Sequence, residues 1–191
     1  MGTVLHTDRL ILRPLRQTDL AALKLLHAEP SFWWFPLGRG QNEDETEAFL
    51  GRVFENYESG DLGLEAVVVR DTGDLAGWAG LSVPAFLPDI LPAVEVGWRL
   101  GSAWRGRGYA TEAGAAWVRQ GFENLGLERI VSIYEVENRS SGRVIEKLGF
   151  ELDRIATIPT SQVEVHVTAL SLQRWTHLRS ERTWPLPPSE T

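Results

Sequence analysis

The stretch SAWRGRGYATEA, residues 102–113, constrains the chain more tightly than any other. It follows an alternating segment that ends near Leu100 and precedes an amphipathic one that begins near Thr111, so it reads as a strand–loop–helix junction. Gly106 and Gly108 bare the backbone, and a ligand can approach their N–H groups without meeting a side chain. With the positive end of the helix dipole behind them, those N–H groups make an anion site, and phosphate is its natural occupant. Two phosphate loops fail on detail. The dinucleotide fingerprint needs a small third residue where Thr111 stands, and the nucleoside-triphosphate loop needs Gly-Lys followed by Ser or Thr. Taken alone, a tight turn with solvated Arg105 and Arg107 explains the stretch as well.

The rest of the chain supplies a context for the loop. RLILRPL (9–15) alternates as a first strand, Thr18 is placed to cap a helix over DLAALKLLHA, and Pro30 ends it. NEDETEAFLGRVFENYESG carries acidic residues in its first turn and Phe49, Leu50, Val53, Phe54 and Tyr57 at helical spacing. LEAVVVR and LAGWAGLSV flank the turn Asp71-Thr72-Gly73-Asp74 as a hairpin, and AVEVGWRL adds a third strand before the glycine loop. A helix from Thr111 and the strand RIVSIYEV follow. Next comes a helix capped by Asn138 or Ser140 and closed by a left-handed Gly149, then a strand from Phe150. QVEVHVTALSL buries Val163, Val165, Val167 and Ala169 on one face as the last strand. These elements predict an α/β or α+β fold with a mixed sheet of about seven strands covered on both faces, in one domain over 1–183 with a loose tail over 184–191.

Composition removes whole classes of function. With 191 residues, 43% of them hydrophobic, the chain can bury one real core. It has no cysteine, so thiolate metal sites and cysteine acyl-enzymes are excluded. The net charge of −7 argues against nucleic acid as a partner and suits a cationic one. No apolar run approaches the ~20 residues that span a bilayer, and MGTVLHTDRL lacks the apolar core of a secretory signal, so a cytoplasmic protein without membrane contact is expected. His27, His166 and His177 show no metal-ligand spacing, and no metal is expected.

Arg105-Gly106-Arg107-Gly108-Tyr109-Ala110 resembles the R/Q-x-x-G-x-G/A signature of the GNAT superfamily of acetyltransferases. TDRLILRPL (7–15), VEVGW (94–98) and ENRSSGRVIEKLGF (137–150) resemble, in order, segments of its RimJ/RimL-like branch, which acetylates ribosomal-protein N-termini, and VHVTALSL extends the likeness. The resemblance implies acetyl-CoA as cosubstrate and a V-shaped, mostly antiparallel sheet. The backbone of Gly97, Trp98, Arg99 and Leu100 would pair with the pantetheine arm as an added strand. The pyrophosphate would lie on the loop from Arg105 to Thr111, chiefly on the N–H groups of Arg107, Gly108, Tyr109, Ala110 and Thr111.

Acetyl transfer to an amine needs a neutral nitrogen, a stabilised oxyanion and a proton for the leaving thiolate. At pH 7, deprotonating an α-amine of pKa ~7.8 costs about 1 kcal/mol, against about 4.6 kcal/mol for a lysine near ~10.4. Glu95, opposite in face to Val94 and Val96, is the expected base. The superfamily's thiolate-protonating tyrosine, just before E-K-x-G-F, is replaced by Ile145, so the resemblance passes that role to Ser141, with Asn138 holding cofactor or loop. Plain helix capping by either residue is the competing explanation. Without a cysteine, direct attack in a ternary complex is expected, with an oxyanion donor near Trp98 or Arg99. Trp33, Trp34 and Phe35, in the segment that walls the family's acceptor, are expected to line the acceptor channel or a homodimer contact, with core packing the alternative. A protein N-terminus, a small amine such as an antibiotic or polyamine, and a non-catalytic acetyl-CoA sensor all remain open.

Overall fold

The computed structural model describes residues 4–33, 38–60, 62–181 and 184–185. Among these, eight strands form one sheet: β1 Leu5–His6, β2 Leu10–Pro14, β3 Leu64–Val69, β4 Leu75–Ser82, β5 Glu95–Leu100, β6 Arg129–Glu135, β7 Glu151–Thr157 and β8 Glu164–Ser171. Their spatial order is β1-β2-β3-β4-β5-β6-β8-β7, antiparallel throughout except where β5 meets β6 in parallel. The mixed, mostly antiparallel α/β architecture is the expected one. The eighth strand is β1, whose two residues are too few to show an alternation.

Five α-helices are described: α1 Leu20–Ala28, α2 Glu43–Ser59, α3 Tyr109–Glu123, α4 Arg139–Lys147 and α5 Leu172–Ser180. The cap of α1 differs from the expected Thr18. Thr18 lies in a 3-10 turn, Gln17–Asp19, and Asp19 precedes the helix with its carboxylate gripped by the Arg13 guanidinium at 2.7 and 2.8 Å. A buried ion pair between strand and helix therefore sets the start of α1, in place of a hydroxyl cap. In α2 the expected acidic first turn closes a capping box: Asn42 accepts the Glu45 N–H and Glu45 accepts the Asn42 N–H, both at 2.8 Å. Helix α5 has no strong apolar period and was not expected. Ser171 caps it by accepting the Arg174 N–H, and Trp175 buries it. Trp184, expected to begin a loose tail, is buried edge-on to Trp175.

The helices sort onto two faces. Helix α3 buries Ala113, Trp117, Val118 and Phe122 against Leu10, Leu12, Val67, Leu81 and Val96, with Ile145 and Leu148 of α4 alongside. On the other face α1 and α2 press Leu23, Phe49, Leu50 and Val53 onto Ala66, Val68 and Trp78. Beyond β6, Val131, Ile158, Val165 and Val167 form a smaller cluster with Leu87. The odd residues of β5 face α1 and the even ones face α3, because side chains alternate along a strand.

His27, at the end of α1, is fully buried among Phe32, Trp33 and Phe49, with ring centroids 5.1, 5.1 and 4.9 Å away. Burial pulls its pKa from 6.5 to about 4, with help from the Arg99 charge and against the neighbouring Gln41. The unfolded chain takes up this proton near 6.5 and the folded one only near 4, so stability is whole above that range and falls as pH drops through it. Between pH 7.5 and 5, wild type should lose about 2 kcal/mol more than His27→Leu in urea unfolding. Equal losses would mean that the imidazole titrates in the folded protein as it does in the unfolded chain.

Candidate active site

Strands β5 and β6 share one parallel register pair, Glu95 with Val131, plus the Val131 N–H to Val94 carbonyl bond of 2.8 Å and a Ser132 hydroxyl to Val96 carbonyl bond of 3.0 Å. On its other edge β5 pairs with β4 over its whole length. The sheet thus parts after Glu95, leaving the β6-side edge of Gly97 to Leu100 without register partners. Backbone direction alternates too: Val94 and Val96 turn their carbonyls to β6, whereas Gly101 donates to Ala76 of β4. By that alternation Trp98 turns its N–H and C=O into the gap and Arg99 turns away from it. A Cβ at Gly97 would meet nothing within 4 Å, so the cleft has room at this residue.

The glycine loop closes one end of the cleft. A 3-10 turn, Ser102–Trp104, leads to Gly106 at φ 73° and Gly108 at φ 84°, left-handed angles that a side chain would strain. Gly108 caps α3, so the helix starts at Tyr109, two positions before the expected Thr111, and Tyr109, Ala110 and Thr111 present first-turn N–H groups. The arginine side chains are occupied. Arg105 donates to the carbonyls of Leu100 (2.9 Å) and Ser31 (2.7 Å), and Arg107 lies 5.4 Å over Trp104. Both side chains stay exposed, as expected from sequence, but Arg105 is also tied to main-chain carbonyls. The loop's anion site rests on backbone.

Three residues hold the loop from behind. Glu112, only 7% exposed in the first turn of α3, accepts the Thr7 hydroxyl (2.6 Å), the Arg9 N–H (2.8 Å) and the Arg9 Nε (2.7 Å). Arg9 also donates to the Arg107 carbonyl at 2.8 Å and covers the buried Tyr109 ring at 4.8 Å. Drawing that carbonyl inward turns the next N–H, that of Gly108, the opposite way, since the peptide unit is planar. The sequence quoted both ends of this cluster, in TDR and in ATEA, without signalling that they touch.

Glu95 is half-buried, and it shares a face with Gly97 and Arg99. Burial pushes its pKa up to about 8, against an N–H of Ile133 and the charge of Arg99. Arg99 is bound to the Phe32 carbonyl at 2.6 Å and lies 4.3 Å over Trp33. Trp33 is buried between His27, Phe49 and Trp78, which is the core packing held as the alternative, while Trp34 and Phe35 lie outside the described residues. Asn138 caps α4, accepting the Ser141 N–H (3.1 Å) and the Ser140 hydroxyl (2.7 Å), which accounts for its acceptor atom without a cofactor. Ser141 is half-buried, and its hydroxyl has no partner among the described residues. Ile145 points into the core. His166 is paired with the Tyr134 hydroxyl at 3.2 Å, and a Cβ on Gly142 would sit 3.1 Å from the Tyr134 ring, so that pair braces the start of α4. Among the described residues, no three His, Asp or Glu side chains are grouped to hold a metal, and no helix is long and apolar enough to cross a membrane.

The profile of the Acetyltransferase (GNAT) domain family matches residues 9–151. The chain belongs to the GNAT acetyltransferases. It is 28% identical over 181 residues to the ribosomal protein uS5-alanine N-acetyltransferase of Escherichia coli, covering 90% of this chain and 92% of that protein. It is 38% identical over 145 residues to the uncharacterized N-acetyltransferase YnaD of Bacillus subtilis, covering 75% and 79%. An acetyltransferase structure from Agrobacterium tumefaciens superposes with TM-score 0.73 at 29% identity, over 88% of this chain and 94% of that one. A RimL ribosomal-protein α-N-acetyltransferase in complex with coenzyme A shares the fold at TM-score 0.73 and 15% identity, over 90% and 99%.

The protein is accordingly an N-acetyltransferase of a family that uses acetyl-CoA. The backbone anion site, the room at Gly97 and the parted strand edge fit that cosubstrate. In this acetyltransferase, Glu112→Ala strips Thr7 and Arg9 of their common acceptor. We expect a loss of about 2–3 kcal/mol in denaturant unfolding, discounted for the half-exposed Arg9. The KM for acetyl-CoA should rise about tenfold with kcat nearly unchanged, through loosening of the N–H groups. An unaltered KM would show that the cluster stabilises the fold without shaping the loop.

Proposed function

We propose that this acetyltransferase modifies the α-amine of a protein or peptide N-terminus, by direct attack of the amine on the thioester in a ternary complex. The observation that carries the reading is Glu95, at the point where β5 and β6 part and with its pKa raised to about 8. An α-ammonium of pKa ~7.8 gives its proton to such a carboxylate almost without cost, whereas a lysine ammonium does so uphill by about 3 kcal/mol. Likeness to a ribosomal protein uS5-alanine N-acetyltransferase, and to the fold of a ribosomal-protein α-N-acetyltransferase, supports the same choice.

Bound acetyl-CoA supplies an activated carbonyl. Glu95 takes the ammonium proton, directly or through a water, and the freed nitrogen forms a bond to the carbonyl carbon. The Trp98 N–H, turned toward the gap, is the strand donor suited to the charge that develops on the oxygen. As the carbon–sulfur bond breaks, the Ser141 hydroxyl gives the thiolate a proton, and its own is restored by the proton that the new amide nitrogen loses. The absence of cysteine leaves no thiol for a cysteine acyl-enzyme.

Release of CoA thiol with peptides bearing a free α-amine, beside N-terminally blocked lysine peptides, polyamines and aminoglycosides, tests the acceptor. Release with the free α-amines is expected. Release only with a small amine would replace this reading, and silence with acetyl-CoA still bound would favour a sensor. With the productive acceptor, Glu95→Gln should lower kcat/KM about 10²-fold at pH 7, and the deficit should shrink toward pH 9.5 as the amine loses its proton unaided. A profile parallel to wild type would remove Glu95 from proton transfer. Ser141→Ala should lower kcat tenfold or more with little change in acetyl-CoA KM, and unchanged turnover would return the residue to helix capping.

A further inference from the structure

The end of β5 and the glycine loop reach across to the segment after α1 by several separate contacts. Arg99 donates to the Phe32 carbonyl at 2.6 Å, Arg105 to the Ser31 carbonyl at 2.7 Å, and the Ser102 N–H to a Glu29 carboxylate oxygen at 2.8 Å. Gly101 is pressed so close that a Cβ there would lie 2.4 Å from Leu26 and 3.4 Å from Glu29. Arg105 also holds the Leu100 carbonyl, so one guanidinium bridges strand end and segment. The first arginine of the phosphate signature is thus directed toward residues 29–33, which wall the Glu95 face of β5 through Phe32 and Trp33.

We propose that Arg105 and Glu29 are positioning residues for the acceptor, lashing the 29–33 segment to the cofactor loop so that filling the anion site firms the acceptor wall. The bonds of Arg105 and Glu29 to their partners are solvent-exposed and individually weak. Their occupancy depends on how well the loop from Gly101 to Gly108 is ordered. An anion held by the first-turn N–H groups of α3 restrains that loop, and the segment tied to it loses freedom in turn. The acceptor then meets a wall whose ordering has already been supplied, which couples the two substrates by the usual five- to 150-fold range of linked sites.

This inference rests on the Glu95 face being the acceptor side, yet its test needs no acceptor, so its failure is distinct from failure of the proposed substrate. Hydrogen exchange of the full chain, read by mass spectrometry, is compared with and without saturating CoA, and CoA affinity is measured by calorimetry. In wild type, amides in 29–33 should exchange about fivefold slower or more with CoA bound. Arg105→Ala and, independently, Glu29→Gln should bind CoA within threefold of wild type and lose that added protection. Three results would overturn the proposal. They are no CoA-dependent change at 29–33 in wild type, retention of the protection in both variants, or a tenfold loss of CoA affinity in Arg105→Ala, which would make this arginine a phosphate ligand.

Discussion

Glu95 and Val131 form the single register pair between β5 and β6, and the site depends on its being single. The rest of the sheet is joined by antiparallel ladders. Parallel strands need a long crossover, here α3, and that helix begins where β5 ends. A crossover helix packed on β5 fixes its own N-terminus beside the strand's C-terminal end. Parting of the two strands then opens a backbone edge next to that N-terminus. One topological event leaves an unpaired strand edge and, beside it, a helix N-terminus, the two features that fit an extended, anionic cosubstrate.

The arginines around the glycine loop are engaged by carbonyls, a carboxylate and aromatic rings, although Arg105 and Arg107 stay exposed. Arg9 is committed to Glu112 and the Arg107 carbonyl, Arg105 to two carbonyls, Arg99 to a carbonyl and an aromatic face, and Arg107 lies over Trp104. Backbone N–H groups suit an anion because they are fixed in direction, while a solvated side chain must first be ordered. The guanidiniums serve as struts that hold carbonyls away from the site. Glu112 would repel an anion if it stood bare in the first turn of α3. Enclosed by Arg9 and Thr7, it orients the loop instead.

Much of this was legible in the sequence where a short-range rule governs. The Asn42 box, the Gly149 and Gly108 turns, the alternation of Val163 to Ala169 and the strand–loop–helix order all follow from local geometry. The face that Glu95 takes was legible because strand periodicity fixes it. What escaped was decided by partners far away in the chain. Thr7 and Glu112 are 105 residues apart, and nothing local in either says they meet. Thr18 lost its capping place to an ion pair between Arg13 and Asp19, and the bond from exposed Arg105 to the Ser31 carbonyl escaped because a carbonyl has no side-chain signature. Helix α5 escaped because its only buried residue is Trp175, too little for a periodic signal.

Arg99 links the chemistry of the site to the stability of its wall. Its charge favours the ionised form of Glu95 and disfavours the ionised form of His27, so one buried cation acts on a carboxyl on one side and an imidazole on the other. Burial dominates both groups and drives them toward neutrality from opposite ends of the pH scale: the carboxyl is held up to about 8 and the imidazole down to about 4. Between those values the wall beneath Trp33 contains a neutral histidine and the cleft contains a largely protonated glutamic acid, which leaves Arg99 as the fixed charge. Under the role proposed for Glu95, an ammonium at this face would be repelled by Arg99 until Glu95 ionised, and would itself favour that ionisation. On that proposal acceptor binding and activation of the base would be one coupled event, and the neutral amine that results would no longer be repelled by the cation that shares its face.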